Sequence, residues 1–148
     1  MRLLIKTRVS GNYQKVFAGF DESLLLKLTP PGMKLRLVKA DPPDQVGGGI
    51  HLHVTVLGII RQEWKNDFHS HEIKENECHF VDVGRLMPFP FKYWRHDHRV
   101  QRDGDNARIV DDITYRCSFK LLEWLVFPIV WLQFRYRRPI YRRHFGKV

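Results

Sequence analysis

The segment Phe119–Phe145, FKLLEWLVFPIVWLQFRYRRPIYRRHF, is the longest helix-compatible stretch of the chain and narrows the choice of fold more than any other. At about 100° per residue, Leu125, Ile129, Leu132, Tyr136 and Ile140 fall on one stripe, and Trp124, Phe127, Trp131 and Phe134 on its neighbour. Glu123, Gln133 and Arg137, with Val126 and Val130 between them, form the remaining narrow face. The apolar arc exceeds half the circumference, and a helix that apolar requires a large concave partner. Almost everything upstream reads as short strands. The predicted architecture is therefore a curved sheet around a C-terminal helix, with a space between them.

Leu3–Val9 reads as the first strand. Asn12 and Asp21 sit as N-caps of two short predicted helices, Tyr13–Phe20 and Asp21–Leu28, the second stopped by Thr29-Pro30-Pro31-Gly32. Strand Lys34–Ala40 runs into Asp41–Gly49 (DPPDQVGGG), a plain loop: a phosphate loop would need a lysine and a helix behind it. Ile50–Leu57 alternates, with Ile50, Leu52, Val54 and Val56 on one side and His51, His53 and Thr55 on the other. After Gly58-Ile59, the strand Ile60–Ile73 is expected to set Val54 opposite Trp64 and Ile50 opposite Phe68. Its even positions then point inward, Gln62 and Asn66 included, and Arg61, Glu63, Lys65, Asp67, His69 and His71 point outward. Ile73 breaks the parity and signals a bulge, so the pattern does not set the inward face of Cys78–Val83. The apolar loop Gly84–Phe91 carries two prolines. Strands Tyr93–Arg102 and Ala107–Cys117 flank the hairpin turn Asp103-Gly-Asp-Asn106. The chain reads as one ligand-binding domain over residues 1–148, with no repeat.

Pairing residue 102 with 107 puts His98 across from Asp111, His96 from Ile113 and Trp94 from Tyr115, on the face expected to look at the helix. The candidate ligand-binding residues are Trp64, Phe68, Trp94, His96, His98, Asp111, Ile113, Tyr115, Leu125, Ile129 and Leu132. The aromatic and aliphatic members would line a pocket, while His96, His98, Asp111 and Tyr115 would hold a polar group. The same cluster could act as an enzyme, with His98 as base, Asp111 orienting it and Tyr115 as acid.

Three His-x-His pairs invite a metal. The pairs at 51/53 and 69/71 lie on the outer face among charges. Only His96/His98 is inward, where Asp111 would complete a two-histidine, one-carboxylate set. A cross-strand Asp–His hydrogen bond is the more ordinary use of that geometry, and no metal or cofactor is expected. Cys78 and Cys117 fall on non-neighbouring strands, too far apart for a disulfide, and neither has a CxxC partner for zinc.

Net charge is +9, but residues 135–148 hold six Arg or Lys and no acid. The other residues carry nineteen basic and sixteen acidic side chains, a near balance. That is a basic helix end rather than a basic groove, and with no RNP-type strand or helix-turn-helix pattern no nucleic-acid partner is expected. If the aromatic stripe is exposed beside those arginines, the helix could touch an anionic membrane surface transiently. The basic end could alternatively bind a protein partner. MRLLIKTRV has no signal-peptide h-region, and Leu121–Phe134, interrupted by Glu123, Pro128 and Gln133, is too short to span a bilayer. A cytoplasmic protein is the expectation.

Five short motifs in order then resemble the SRPBCC superfamily, the helix-grip fold of START-related lipid carriers and the birch-pollen allergen. They are Thr29-Pro30-Pro31, Phe80-Val81-Asp82, Trp94-x-His96-x-His98, Asp111-x-Ile113-x-Tyr115 and Phe134-x-Tyr136-Arg137. The pattern is similar to bacterial members of the polyketide cyclase/dehydrase and coenzyme Q-binding type. Cys117-Ser118-Phe119 departs from it, standing where related sequences tend to have a proline-containing turn. The resemblance implies an α+β fold: a seven-stranded antiparallel sheet, two short helices between its first two strands and a long terminal helix. It also implies a deep apolar pocket for a lipid, quinone or polyketide-like ligand, and in some members a cyclisation or dehydration.

Overall fold

A computed structural model describes residues 1–148. The element order is β1 (Arg2–Val9), α1 (Tyr13–Ala18), α2 (Glu22–Lys27), β2 (Met33–Ala40), β3 (Gly49–Val56), β4 (Ile60–Ile73), β5 (Glu77–Leu86), β6 (Phe91–Asp103), β7 (Asn106–Cys117) and α3 (Lys120–Phe145). All strand pairs are antiparallel, in one seven-stranded sheet of order β1-β7-β6-β5-β4-β3-β2. Register shifts on β2, β4 and β6 mark bulges, which increase local twist and let the sheet wrap around α3.

Strict alternation in β1 buries Leu3, Ile5, Thr7 and Val9. Both predicted caps form: the Asn12 carbonyl oxygen accepts from the backbone N–H of Gln14 and Lys15, and the Asp21 carboxylate accepts from that of Leu24. The glycine loop closes as a backbone clasp, with Gly47 N–H donating to Phe68 O and Phe68 N–H to Gly48 O. Gly49 lies so close to β4 that a Cβ there would sit 2.1 Å from the Asn66 carbonyl oxygen.

The β6–β7 register is the predicted one, with His98 opposite Asp111, His96 opposite Ile113 and Trp94 opposite Tyr115. The β3–β4 register is two residues from the expected one: Val54 pairs with Gln62, Leu52 with Trp64 and Ile50 with Asn66. A two-residue shift preserves parity, so the inward set survives as far as Phe68. The bulge falls between Phe68 and Ser70 rather than at Ile73. It turns His71 inward against Phe17, with ring centroids 5.2 Å apart, where an outward side chain was expected. On β5, the inner face carries Cys78, Phe80 and Asp82. Cys78 and Cys117 are buried and unpaired, on strands separated by β6.

Two apolar clusters form the interior. One lies under α1 and α2 and joins Val9, Phe17, Leu24, Phe68, Phe80 and Tyr141; the other lies under the first half of α3 and joins Leu3, Ile5, Trp94, Ile113, Tyr115 and Phe134.

The face of α3 against the sheet reverses the expectation. Glu123, Val130, Phe134 and Tyr141 are buried, with Val126, Gln133 and Arg137 beside them, so the predicted narrow face points inward, joined by Phe134 from the edge of the aromatic stripe. Leu125, Ile129 and Leu132 are 62%, 66% and 62% exposed. Polar groups on the sheet explain the rotation. Buried Asp111 has Arg137 and Tyr141 above it, the Tyr115 hydroxyl donates to the Glu123 carbonyl, and the Glu123 carboxylate receives the Cys117 N–H and Lys120. Turning the Leu/Trp stripe inward would leave those groups without partners, at about 1–3 kcal/mol each. The prolines agree, since Pro128 and Pro139 are both on the exposed side, where the carbonyls they leave unbonded can reach water.

Candidate ligand cavity and its polar end

A cavity of about 680 Å³ separates β2–β6 from the two short helices and the inner face of α3. That volume is in the range of small-molecule sites. Its apolar wall comes from Phe17, Phe20, Leu24, Leu35, Leu52, Val54, Trp64, Phe68, Phe80, Trp94 and Phe134. Strand alternation supplies the sheet members, and the amphipathic stretches Tyr13–Ala18 and Glu22–Lys27 supply the roof.

Its polar end is a linked set of side chains. His98 Nε2–H donates to Asp82 Oδ2 at 2.7 Å, and His96 Nε2–H donates to Asp111 Oδ1 at 3.0 Å. Those ring nitrogens are assigned as donors because a carboxylate can only accept. Asn66 Nδ2 donates to Asp82 Oδ1 at 2.5 Å, and Trp64 Nε1–H donates to Asn66 Oδ1 at 2.5 Å. The His98 ring stacks on Phe80 with centroids 4.2 Å apart and lies 3.5 Å from the His96 ring centroid. The expected partner of His98 was Asp111. The backbone pairing is as expected, but both contacts are diagonal: His98 reaches Asp82, two residues along β5 from its direct partner Phe80, and His96 reaches Asp111, two along β7 from Ile113.

Burial, and then the neighbouring His98, pulls the His96 pKa down to about 4, so this imidazole is neutral at pH 7. Burial alone would raise Asp82 and Asp111. Their histidine hydrogen bonds and the Arg137 charge outweigh it, so both carboxyls titrate below the usual range. Tyr141, donating to Asp111 Oδ1 at 3.3 Å, is driven upward by burial and by that carboxylate.

Gln133 and Arg137 complete the cavity from α3, one helical turn apart. The Arg137 guanidinium lies over the Phe134 ring at 4.2 Å. Its nearest carboxylate oxygen, Asp111 Oδ1, is 3.9 Å away, too far for a hydrogen bond, and Nε has no partner. Arg137 is thus a largely buried cation with charge balance but no hydrogen bond at Nε.

Of the predicted ligand-binding residues, Trp64, Phe68, Trp94, His96 and His98 border the cavity. Asp111 lies behind His96 in the second layer. Ile113 and Tyr115 are buried beneath the first half of α3, outside the lining. Tyr115 cannot serve as an acid toward His98: its hydroxyl is committed to the Glu123 carbonyl, and burial pushes its pKa to about 12. Leu125, Ile129 and Leu132 face outward, as described above. Sequence reasoning missed Asp82, Asn66, Gln133 and Arg137 as site residues. The signal for the last two was their place beside Glu123 on the narrow face that interrupts the apolar arc.

Ligand atoms of Asp82, His96 and His98 lie within 4.8 Å of one another, as do those of His51, His53 and Glu63 on the outer face. Either set could hold a divalent ion. In the inner set both Nε2 atoms already donate to carboxylates, which leaves Nδ1 as the ligating nitrogen, and the His98 Nδ1 has no partner.

The chain has a helix-grip fold, one seven-stranded antiparallel sheet around a long C-terminal helix. Similar solved structures include protein CV1439 from Chromobacterium violaceum, with TM-score 0.73, 10% identity and coverage of 99% of this chain and 98% of that one. A norcoclaurine synthase from Thalictrum flavum, as a point mutant with a transition-state analogue, gives TM-score 0.60 and 15% identity over 97% of this chain and 95% of that one. Ara h 8.0201 gives TM-score 0.59 and 10% identity over 95% and 97%. No family model and no curated protein matches the sequence. At these identities the likeness extends to the fold.

Proposed function

We propose that the chain binds or carries a small hydrophobic ligand whose polar end accepts hydrogen bonds from Arg137 and Gln133. The observation that carries this reading is the Arg137 guanidinium, with no hydrogen bond at Nε, bordering the polar end of a mainly apolar 680 Å³ cavity. A buried cation with free donors is costly in an empty site and is satisfied by a ligand oxygen. Arg137 is already flanked by two ionised carboxylates, Asp82 and Asp111. A neutral acceptor such as a ketone or quinone oxygen suits this end better than a second anion would. The cyclase/dehydrase and coenzyme Q-binding resemblance points to the same ligand class. Native mass spectrometry of the purified protein tests it by weighing a copurified ligand, with binding of a quinone such as menadione to wild type and Arg137→Met as the second arm. A folded Arg137→Met that binds menadione as tightly as wild type refutes the assignment.

A second reading, an acid–base enzyme of the cyclase or dehydratase kind, is favoured by the 2.7 Å Asp82–His98 pair. It requires His98→Ala to abolish turnover of a bound substrate with binding nearly intact, whereas a carrier loses only affinity. Loading from a membrane, in a single-domain cytoplasmic carrier, belongs to the first reading.

A further inference from the structure

The outward face of α3 has no partner in the fold, although it exposes several large apolar side chains. Leu121, Trp124, Leu125, Ile129 and Leu132 all lie on it, and Trp124 is 60% exposed. Further along the same side the character changes to Arg135, Arg142 and Arg143. Phe119 at the helix start and Phe89 in the β5–β6 loop, 77% exposed, lie at the same end of the sheet as the apolar half. This follows from strand direction, because β5 and β7 both finish there.

We infer that this face docks on an anionic lipid surface, the apolar half entering the acyl boundary and the arginines meeting the headgroups. The inference adds a partner to the carrier reading and depends on it only for its purpose. Charge decides the occupant. Glu123 is the only acid of α3, and it is buried. A second copy packed on this face would cover arginines, against each other or against the apolar half, with no counter-charge from either helix. A bilayer containing acidic lipids supplies apolar depth and negative charge together, the combination interfacial helices use. No helix of the chain is long and apolar enough to cross a membrane, so the contact is one that lies on the surface. The arrangement also places the docking face on the reverse side of the helix whose Gln133 and Arg137 border the cavity, so a tilt of α3 on lipid would change both.

The test is flotation of the intact chain with vesicles of phosphatidylcholine alone and of phosphatidylcholine mixed with phosphatidylglycerol, following Trp fluorescence and needing no cavity ligand. Binding to the mixed vesicles with a blue shift is expected, and little to phosphatidylcholine alone. Trp124→Ser/Leu125→Ser removes two inserted side chains and is expected to lower partitioning at least about tenfold. Each of Arg135→Gln and Arg143→Gln is expected to cost about fivefold on anionic vesicles, the equivalent of one surface cation. All four positions are solvent-exposed, so circular dichroism and menadione binding should match wild type. The inference is overturned by failure to bind anionic vesicles, by equal binding of the serine variant, or by a concentration-dependent dimer that the serine variant abolishes. A soluble protein that competes for this face while lipid does not bind overturns it too. Loss of menadione binding with docking intact would instead count against the carrier reading.

Discussion

Acidification offers a direct probe of the polar end, because His96 is held neutral inside the fold. Its folded pKa of about 4 lies below the unfolded value of 6.5. The unfolded chain therefore binds more protons between those values, and stability falls as pH falls through that window. The stabilisation is fully present above pH 6.5 and is spent once pH drops through the folded pKa. Taking both values at face, moving from about pH 7.5 to about pH 5 costs about 2 kcal/mol, with a slope near 1.3 kcal/mol per pH unit at most. Asp82 and Asp111 titrate below their unfolded value of 3.8, so their losses begin only at lower pH. Urea unfolding followed by Trp fluorescence across this range gives the slope, and His96→Gln keeps a donor for Asp111 while removing the titration. The variant should lose about 2 kcal/mol less than wild type over the same interval. Equal slopes in the two proteins, or an NMR titration placing His96 at or above 6.5, would refute the reasoning.

Three substitutions, each with a control, test the interior contacts. Phe134→Ala empties the contact between Trp94 and His96 and should cost about 3–5 kcal/mol in urea unfolding, while Leu125→Ser, on the outer face, should stay within about 0.5 kcal/mol. Asp82→Ala strands both His98 Nε2–H and the Asn66 amide, so a loss of about 2–4 kcal/mol is expected by the same measurement, against less than half of that for Asp82→Asn. Gly49→Ala has to push Asn66 O and the β4 backbone away from the new Cβ, and thermal unfolding should register a clear drop in Tm, whereas Gly58→Ala meets no atom within 4 Å and is strained only by its φ of 73°.

Short-range physics wrote much of the fold into the chain. The caps Asn12 and Asp21, the Asp103–Asn106 turn and the β6–β7 register follow from local geometry, which explains why Trp94, His96 and Asp111 could be grouped before any coordinates. The β3–β4 pairing was misjudged by two residues, yet Trp64 and Phe68 kept their direction because side-chain parity repeats every two. His71 changed sides because a bulge has no sequence marker beyond a broken alternation.

The rotation of α3 was the largest matter left to tertiary structure. Hydrophobicity alone turns the Leu/Trp stripe inward; the structure turns it out, because buried Asp111, Tyr115 and the Cys117 N–H need Arg137, Tyr141 and Glu123 opposite them. The partner of His98 was likewise settled by the sheet, which offers Asp82 diagonally on β5 as well as Asp111 directly opposite on β7. Periodicity thus determined which residues share a face. Which face is buried depended on pairing polar groups far apart in the chain, and a helical wheel contains no information about them.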